Sequence, residues 1–342
     1  MRLIQFQGAN QKRHVGLIED DTVFDLTEIN PHWDRIYNIF IDARKKGKRI
    51  DELIVGCAYR SNANVLSYKD LVGCRPGNSA GWILPSLDHP DPAHSIITVT
   101  GLTHLGSSNQ RNKMHKDNHL PKTDSQKMFE MGLQGGKPKA GVRGIQPECF
   151  LKGNGSILRG HNDYLDIPAF AQDGGEEPEI VGCYVIDDHG IPYRLGSSIG
   201  NEWSDHEMEQ VNYLWLGHSK QRNCSVGPEL IIGQPFKDIR GRCRIYRNAE
   251  IIYDSGELLT GEDHMNHSLA NLEDHLFKYP QSRIPGDVHL FFFGTMKFSF
   301  GNRKSLQTDD KIEIKFDTMG NPLINYVKRM PHEKKPITVR RG

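Results

Sequence analysis

Glu177-Pro178-Glu179 opens the apolar run Ile180 to Ile186, and in extended backbone the side chains at i and i+2 point to one face. Two carboxylates placed in this way can meet one hard cation. A third, Glu202, lies in Gly200-Asn201-Glu202, just before Ser204-Asp205-His206-Glu207, a capping-box pattern expected to start the helix that carries Val211. Magnesium prefers about six oxygens and usually retains waters or substrate in its shell, so three carboxylates leave positions suited to catalysis. Paired glutamates are also common on solvated surfaces, and Glu176 beside the pair fits an ordinary acidic turn equally well.

The elements that must position these groups come from a chain of 342 residues, a length for one or two domains. Its 43 Lys+Arg balance 43 Asp+Glu, and 37% of its residues are apolar, which argues against both a nucleic-acid surface and an acidic disordered chain. The six cysteines are dispersed without a CxxC, so isolated thiols are expected rather than a zinc knuckle or a disulfide scaffold. The start, Met1-Arg2-Leu3-Ile4, turns polar by Gln5, and no run approaches the roughly 18 apolar residues of a membrane span. A cytoplasmic protein without membrane or nucleic-acid partners is the expectation.

Strands are expected around Ile4 and Phe6, at Val15 to Ile18 and at Val23 to Leu26, with Glu19, Asp20 and Asp21 in a turn. Trp33, Ile36, Ile39, Phe40 and Ala43 recur at helical spacing, and Gly47 can stop that helix. The cluster Arg44-Lys45-Lys46-Gly47-Lys48-Arg49 reads as a solvated helix end, ahead of a phosphate-binding alternative, and receives no site. Pro, Gly and Ser between Cys74 and His94 mark a boundary, dividing a small β-rich N-terminal domain, 1–90, from a larger domain, 91–330. A strand from Ile96 to Thr100 leads into the polar segment Gly101 to His119, and Gly132, Gly135 and Gly136 predict loop.

Further strands are expected at Ile180 to Ile186, Cys243 to Tyr246, Val288 to Phe293, Ile312 to Phe316 and Leu323 to Val327. Helices are expected around Val211, Leu214 and Trp215 and around Met265, Leu269, Leu272 and Leu276. The class is α+β, predominantly β. Neither GxGxxG nor GxxxxGK[ST] occurs in a strand-to-helix setting, so Rossmann and P-loop folds are set aside.

From about residue 95 to 328 the sequence resembles the fumarylacetoacetate hydrolase family, whose E-x-E segment matches Glu177-Pro178-Glu179. Its N-D-x-S-x-x-D segment resembles Asn201-Glu202-Trp203-Ser204-Asp205-His206-Glu207, with Glu202 in place of the usual Asp and one methylene longer. Lys220 before Cys224-Ser225-Val226-Gly227-Pro228 resembles the family's active-site lysine. Gly286-Asp287-Val288 with Phe293-Gly294-Thr295 is similar to its G-D-V…T-G-T segment, and Leu306 to Asp310 to its L-K-P-G-D turn. The resemblance implies a homodimer with a fumarylacetoacetate hydrolase-like catalytic domain, and Glu177, Glu179 and Glu202 as ligands of Mg²⁺, or Mn²⁺ in its place.

In the family's hydrolases a His-Glu pair activates water, whereas the matching positions here are Ser107 and Gln110, whose neutral side chains are poor bases near pH 7. Gly101-Leu102-Thr103-His104 and Leu216-Gly217-His218-Ser219-Lys220 resemble instead the branch that dehydrates 2-keto-3-deoxypentonates of arabinonate or xylonate type. The resemblance implies dehydration to 2,5-dioxopentanoate, with Lys220 as general base or enolate stabiliser and Thr295 as a substrate contact. Arg111 is then a carboxylate ligand, His104 or His115 a proton donor, and Ser107 a further member of the opposing polar group. Hydrolysis of a 2,4-diketo sugar acid or acylpyruvate is the alternative, followed by noncatalytic sugar-acid binding. His115 and His119 lack the Glu of H-E-x-x-H, which disfavours zinc.

Overall fold

A computed structural model of the protein describes residues 1–106, 123–303, 305–331 and 336–342. Ser107, Arg111, His115 and His119 lie outside the described residues. Two β-sheets dominate, with short helices packed on them, so the class is α+β with β in the majority. Among the described residues, the larger sheet has 12 strands and the smaller 6.

The strand Pro178–Ile186, which begins within the E-x-E segment, occupies the middle of the larger sheet. It pairs antiparallel with Pro192–Asn201 on one side and with Val288–Phe292 on the other. Every one of its residues is buried. Val181, Cys183 and Val185 enter a core shared with Ile36, Ile39 and Phe40 of the helix Ile36–Lys45. Ile180, Tyr184 and Ile186 enter a second core, with Leu272 and Leu276 of the helix Leu269–Phe277 and with Ile312 and Ile314 of the smaller sheet. Burial on both faces is why this segment reads as a continuous apolar run instead of an alternation.

The N-terminal strands extend the same sheet, since Arg2–Gly8 pairs with Cys224–Ile231 through Arg2↔Ile231 and Leu3↔Leu230. The segment expected as a small N-terminal domain is thus hydrogen-bonded to the remainder. At the seam, the buried Glu229 carboxylate accepts from Arg2 at 2.6 and 2.9 Å, from the Tyr68 hydroxyl at 2.7 Å and from the Asn321 N–H at 2.9 Å.

Local expectations fail in three places. Residues Asp124–Gly135 form a helix with a Thr123–Gln126 capping box, not a loop. Its glycines serve packing: a Cβ at Gly132 would stand 2.5 Å from the Asn266 side chain. The helix expected around Val211, Leu214 and Trp215 is broken into His206–Val211, a single 3₁₀ turn at Tyr213–Trp215 and Leu216–Lys220. Leu214 is 88% exposed there, so the apolar spacing does not report a buried face. Met265 stands outside the helix Leu269–Phe277, in an isolated bridge with His104. No described helix is long and apolar enough to cross a membrane.

Candidate metal centre and its cavity

Backbone pairing assembles the acidic cluster. Pro178 and Glu179 lie opposite Asn201 and Gly200, the Glu202 N–H donates to the Glu177 carbonyl at 3.1 Å, and Gly175 and Ser204 exchange two hydrogen bonds of 2.9 Å. These links place the end of one strand against the beginning of its neighbour. Trp203 makes the corner with φ of +62°, a left-handed conformation unusual for a bulky residue; its buried indole N–H is fixed to the Asp166 carbonyl at 2.7 Å. Asp205, rather than Ser204, caps the helix His206–Val211, by accepting from the Met208 N–H. Ser204 is free to accept instead from the Lys220 ammonium at 2.7 Å.

Glu177, Glu179 and Glu202 each offer an oxygen, all three within 4.8 Å of one another, and all three residues are buried. The Lys220 ammonium contacts Glu177 directly, donates to Glu202 at 2.6 Å and lies 3.6 Å from Glu209. A second lysine, Lys152 of the strand Cys149–Asn154, donates to the other Glu202 oxygen at 2.6 Å and to the Trp203 carbonyl at 2.9 Å. The longer arm of Glu202 bridges both ammonium groups. His206 stands 3.0 Å from Glu177 through Nε2, and its ring stacks on Phe298 at 4.4 Å.

The three carboxylates differ sharply in their protonation. Burial acts to raise Glu177, but the Lys220 charge and the His206 contact outweigh it and hold the group well below the usual carboxylate range. Glu179 goes the other way, pushed well above that range by burial and then by the charges of Glu202 and Glu177. Burial also raises Glu202, against the pull of Lys152 and Lys220. Burial opposes the Lys220 charge, yet Glu177, Glu202 and Glu209 keep it protonated well above the ordinary lysine value. One Glu179 oxygen accepts from the Gly294 N–H at 2.6 Å; the other is buried without a hydrogen-bond partner among the described residues. Gly294 has φ of +92°, and a Cβ there would meet the Thr103 hydroxyl at 2.2 Å, so only glycine presents its N–H in this way.

An orphaned buried carboxylate oxygen beside two other carboxylates is the donor set of a hard divalent cation, so these residues fit magnesium or manganese. Next to them is a small cavity of about 30 Å³, lined among others by Glu177, His206, Glu209, Tyr213, Lys220 and Thr295. Thr295 is therefore at the cavity, with its hydroxyl donating to the Lys297 carbonyl at 3.0 Å. His104 is not among the lining residues. Its imidazole is fully buried between the hydroxyls of Thr103 and Thr260, at 2.9 and 2.8 Å, and burial drives its pKa down to about 3, leaving a neutral ring. This placement does not suit the expected proton donor.

Several participants escape the sequence reading. Lys152 sits in a strand with no motif of its own, and its only signal is a lysine inside the Phe150-Leu151-Lys152 run. His206 and Glu209, three apart on the helix His206–Val211, both line the cavity, and neither is singled out by the sequence beyond the place of His206 in the capping-box segment. Glu176 is no solvated turn residue: it is fully buried, accepts from the N–H and hydroxyl of Ser299 at 2.6 Å each, and lies beside Arg303, which is bound to Asp173 at 3.1 Å. Tyr213 carries the cavity wall toward Glu148, which also accepts from Ser125 at 2.7 Å. A second group, His14, Asp25 and Glu28, also brings three donor atoms within 4.8 Å.

No protein-family model and no curated protein matches the sequence. Among solved structures the chain is similar to 2-keto-3-deoxy-D-arabinonate dehydratase in its apo form, at 20% identity and a TM-score of 0.66 over 96% of this chain and 99% of that one. The dehydratase complexed with magnesium and 2,5-dioxopentanoate matches at 20% identity and 0.65, over 97% and 100% of the two chains. Fumarylacetoacetate hydrolase from Exiguobacterium antarcticum matches at 16% identity and 0.59, over 96% and 100%. Likeness across nearly the whole of each chain shows a shared architecture, and on it the chain has the fumarylacetoacetate hydrolase-like fold.

Proposed function

We propose that the protein is a magnesium-dependent enzyme that dehydrates a 2-keto-3-deoxypentonate, of arabinonate or xylonate type, to 2,5-dioxopentanoate. The observation that carries this reading is a Glu179 oxygen without a partner among the described residues, within a buried trio of carboxylates that adjoins a cavity. Glu177, Glu179 and Glu202 would hold the cation, which when bound polarises the carboxylate and 2-keto oxygens of the substrate. The Lys220 ammonium, held by Glu177 and Glu202, supplies fixed positive charge beside the developing negative charge as the C3 proton leaves. Its ion pairs favour this electrostatic role over that of a base. Thr295 offers its hydroxyl oxygen to the substrate from the cavity wall, where Tyr213 is held by Glu148, and the His206 ring, braced by Phe298, keeps Glu177 in place. Loss of the C4 hydroxyl as water and tautomerisation then give the product.

The similarity to a dehydratase solved with magnesium and 2,5-dioxopentanoate supports this choice, as does the replacement of the hydrolytic His-Glu pair by Ser107 and Gln110. Magnesium-loaded protein incubated with a stereoisomer panel of 2-keto-3-deoxypentonates and with acylpyruvates, followed by product mass analysis, tests it. Loss of one water from a pentonate is expected. Addition of one water to an acylpyruvate would replace the proposal with hydrolysis, and stabilisation by pentonates without any product would replace it with binding alone.

A further inference from the structure

A second cavity among the described residues lies outside the metal centre. It has a volume of about 710 Å³ and opens between the helix Ile36–Lys45, the segment after it, and the strand Pro192–Asn201. That is within the range of about 300–1,000 Å³ typical of small-molecule sites. Its apolar walls include Phe40 and Tyr193, with ring centres 5.6 Å apart, and Phe236 and Phe293, 4.9 Å apart.

Charge on the lining is one-sided. Five cations, Arg44, Lys48, Arg49, Arg194 and Lys237, face two carboxylates, Asp51 and Glu262. Arg49 is paired with Asp51, and Arg194 with Glu273, while Lys48 and Lys237 have no ion pair among the described residues. Arg44 is the most telling of the five. Its guanidinium lies over the Tyr193 ring at 4.4 Å and 4.0 Å from Asp187, and its Nε is buried without a hydrogen-bond partner among the described residues. Of the basic cluster at this helix end, Arg44, Lys48 and Arg49 border the cavity, Arg44 partly buried and Lys48 and Arg49 exposed at its mouth.

We propose that this cavity is a binding site for a small organic anion with a planar apolar body, its rings against Phe40, Tyr193 and Phe236 and its acidic group toward Arg44 and Lys48. The aromatic walls supply contact area, and Arg44, already stacked and partly desolvated, supplies a donor that an acidic oxygen would satisfy. The proposal is independent of the reaction at the metal centre.

The probe is anilinonaphthalene sulfonate, compared with its uncharged analogue phenylnaphthylamine, by fluorescence titration of the full chain. Saturable binding of one sulfonate per chain is expected, weakened about tenfold in an Arg44→Met/Lys48→Met variant and by added salt, with the uncharged analogue indifferent to both. Gln234→Trp, which places bulk on the lining without touching the cations, should block both probes. Glu179→Gln should leave binding unchanged, which separates this site from the metal centre. A single cooperative thermal unfolding transition verifies that each variant is folded. Unsaturable binding, equal affinity in the double variant, or full retention in Gln234→Trp would overturn the assignment.

Discussion

Two clusters among the described residues bring three metal-type donors within 4.8 Å, and they are not alike. In the N-terminal cluster the charge is answered locally: Asp25 lies 2.8 Å from His14 Nδ1 and caps Thr27 at 3.0 Å, while Glu28 is exposed to water. In the central cluster three buried glutamates crowd together, two lysines neutralise part of the charge, and one oxygen of Glu179 is left over. Proximity of donors is common to both. Unanswered buried charge distinguishes the central one, and it is this surplus that a cation would relieve.

Removing an ammonium should enlarge that surplus most. Lys220→Met is expected to abolish turnover and to cost about 3–5 kcal/mol of metal-free stability, because it leaves buried carboxylates uncompensated. Magnesium should restore part of the loss in chemical denaturation; a variant as stable as wild type without metal would show that the cluster is not charge-strained. Glu179→Gln should act in the opposite sense on stability. Calorimetry should show magnesium affinity falling by about 100-fold or more, while metal-free stability at alkaline pH rises by about 1–3 kcal/mol. Unchanged affinity would remove Glu179 from the ligand set.

Titration sharpens the contrast. Glu179 has a folded-state pKa above the ordinary 4.5, so the folded state holds its proton more tightly, and metal-free stability should fall as pH rises from that value through the folded-state pKa. His14, raised above 6.5 by its hydrogen bond to Asp25, contributes with the same sign, its stabilisation being lost as pH rises through its own folded-state value. Magnesium should flatten the first dependence and leave the second intact, which denaturation midpoints measured across pH with and without the ion will show. The smallest effect is expected from His14→Asn: about 0.5–1.5 kcal/mol of stability lost, with no change in magnesium affinity. A loss of affinity there would make the N-terminal cluster the better metal candidate.

Much of this arrangement is legible in the sequence because it rests on local signals. The run Ile180 to Ile186 announces a buried strand, and Asn248-Ala249 is a hairpin turn in which both residues take positive φ. Glu177, Glu179, Glu202 and Lys220 are found through ordered segments that keep their spacing. What escapes is long-range. Nothing adjacent to Lys152 tells that a lysine there will lie buried beside Glu202, fifty residues onward, and nothing adjacent to Glu176 tells that Ser299 will come to meet it. The glycines at 132, 135 and 136 mislead because glycine marks both turns and close packing, and only the partner, here Asn266 and His267 for Gly132 and Gly136 and Ile145 for Gly135, decides which. The surroundings of His104 are long-range too: nothing adjacent to it tells that the Thr260 hydroxyl will lie 2.8 Å from its ring.

The clasp between Glu176 and Ser299 separates two jobs that sit on successive residues. Glu177 belongs to the floor of the site, whereas Glu176 grips the segment that brings Thr295 and Phe298 over it, between the positive-φ glycines Gly294 and Gly301. Under the proposed function, substitutions between the two glycines should change which substrate is accepted and leave magnesium affinity as it stands, because the clasp at Glu176 fastens that segment without using a carboxylate of the trio.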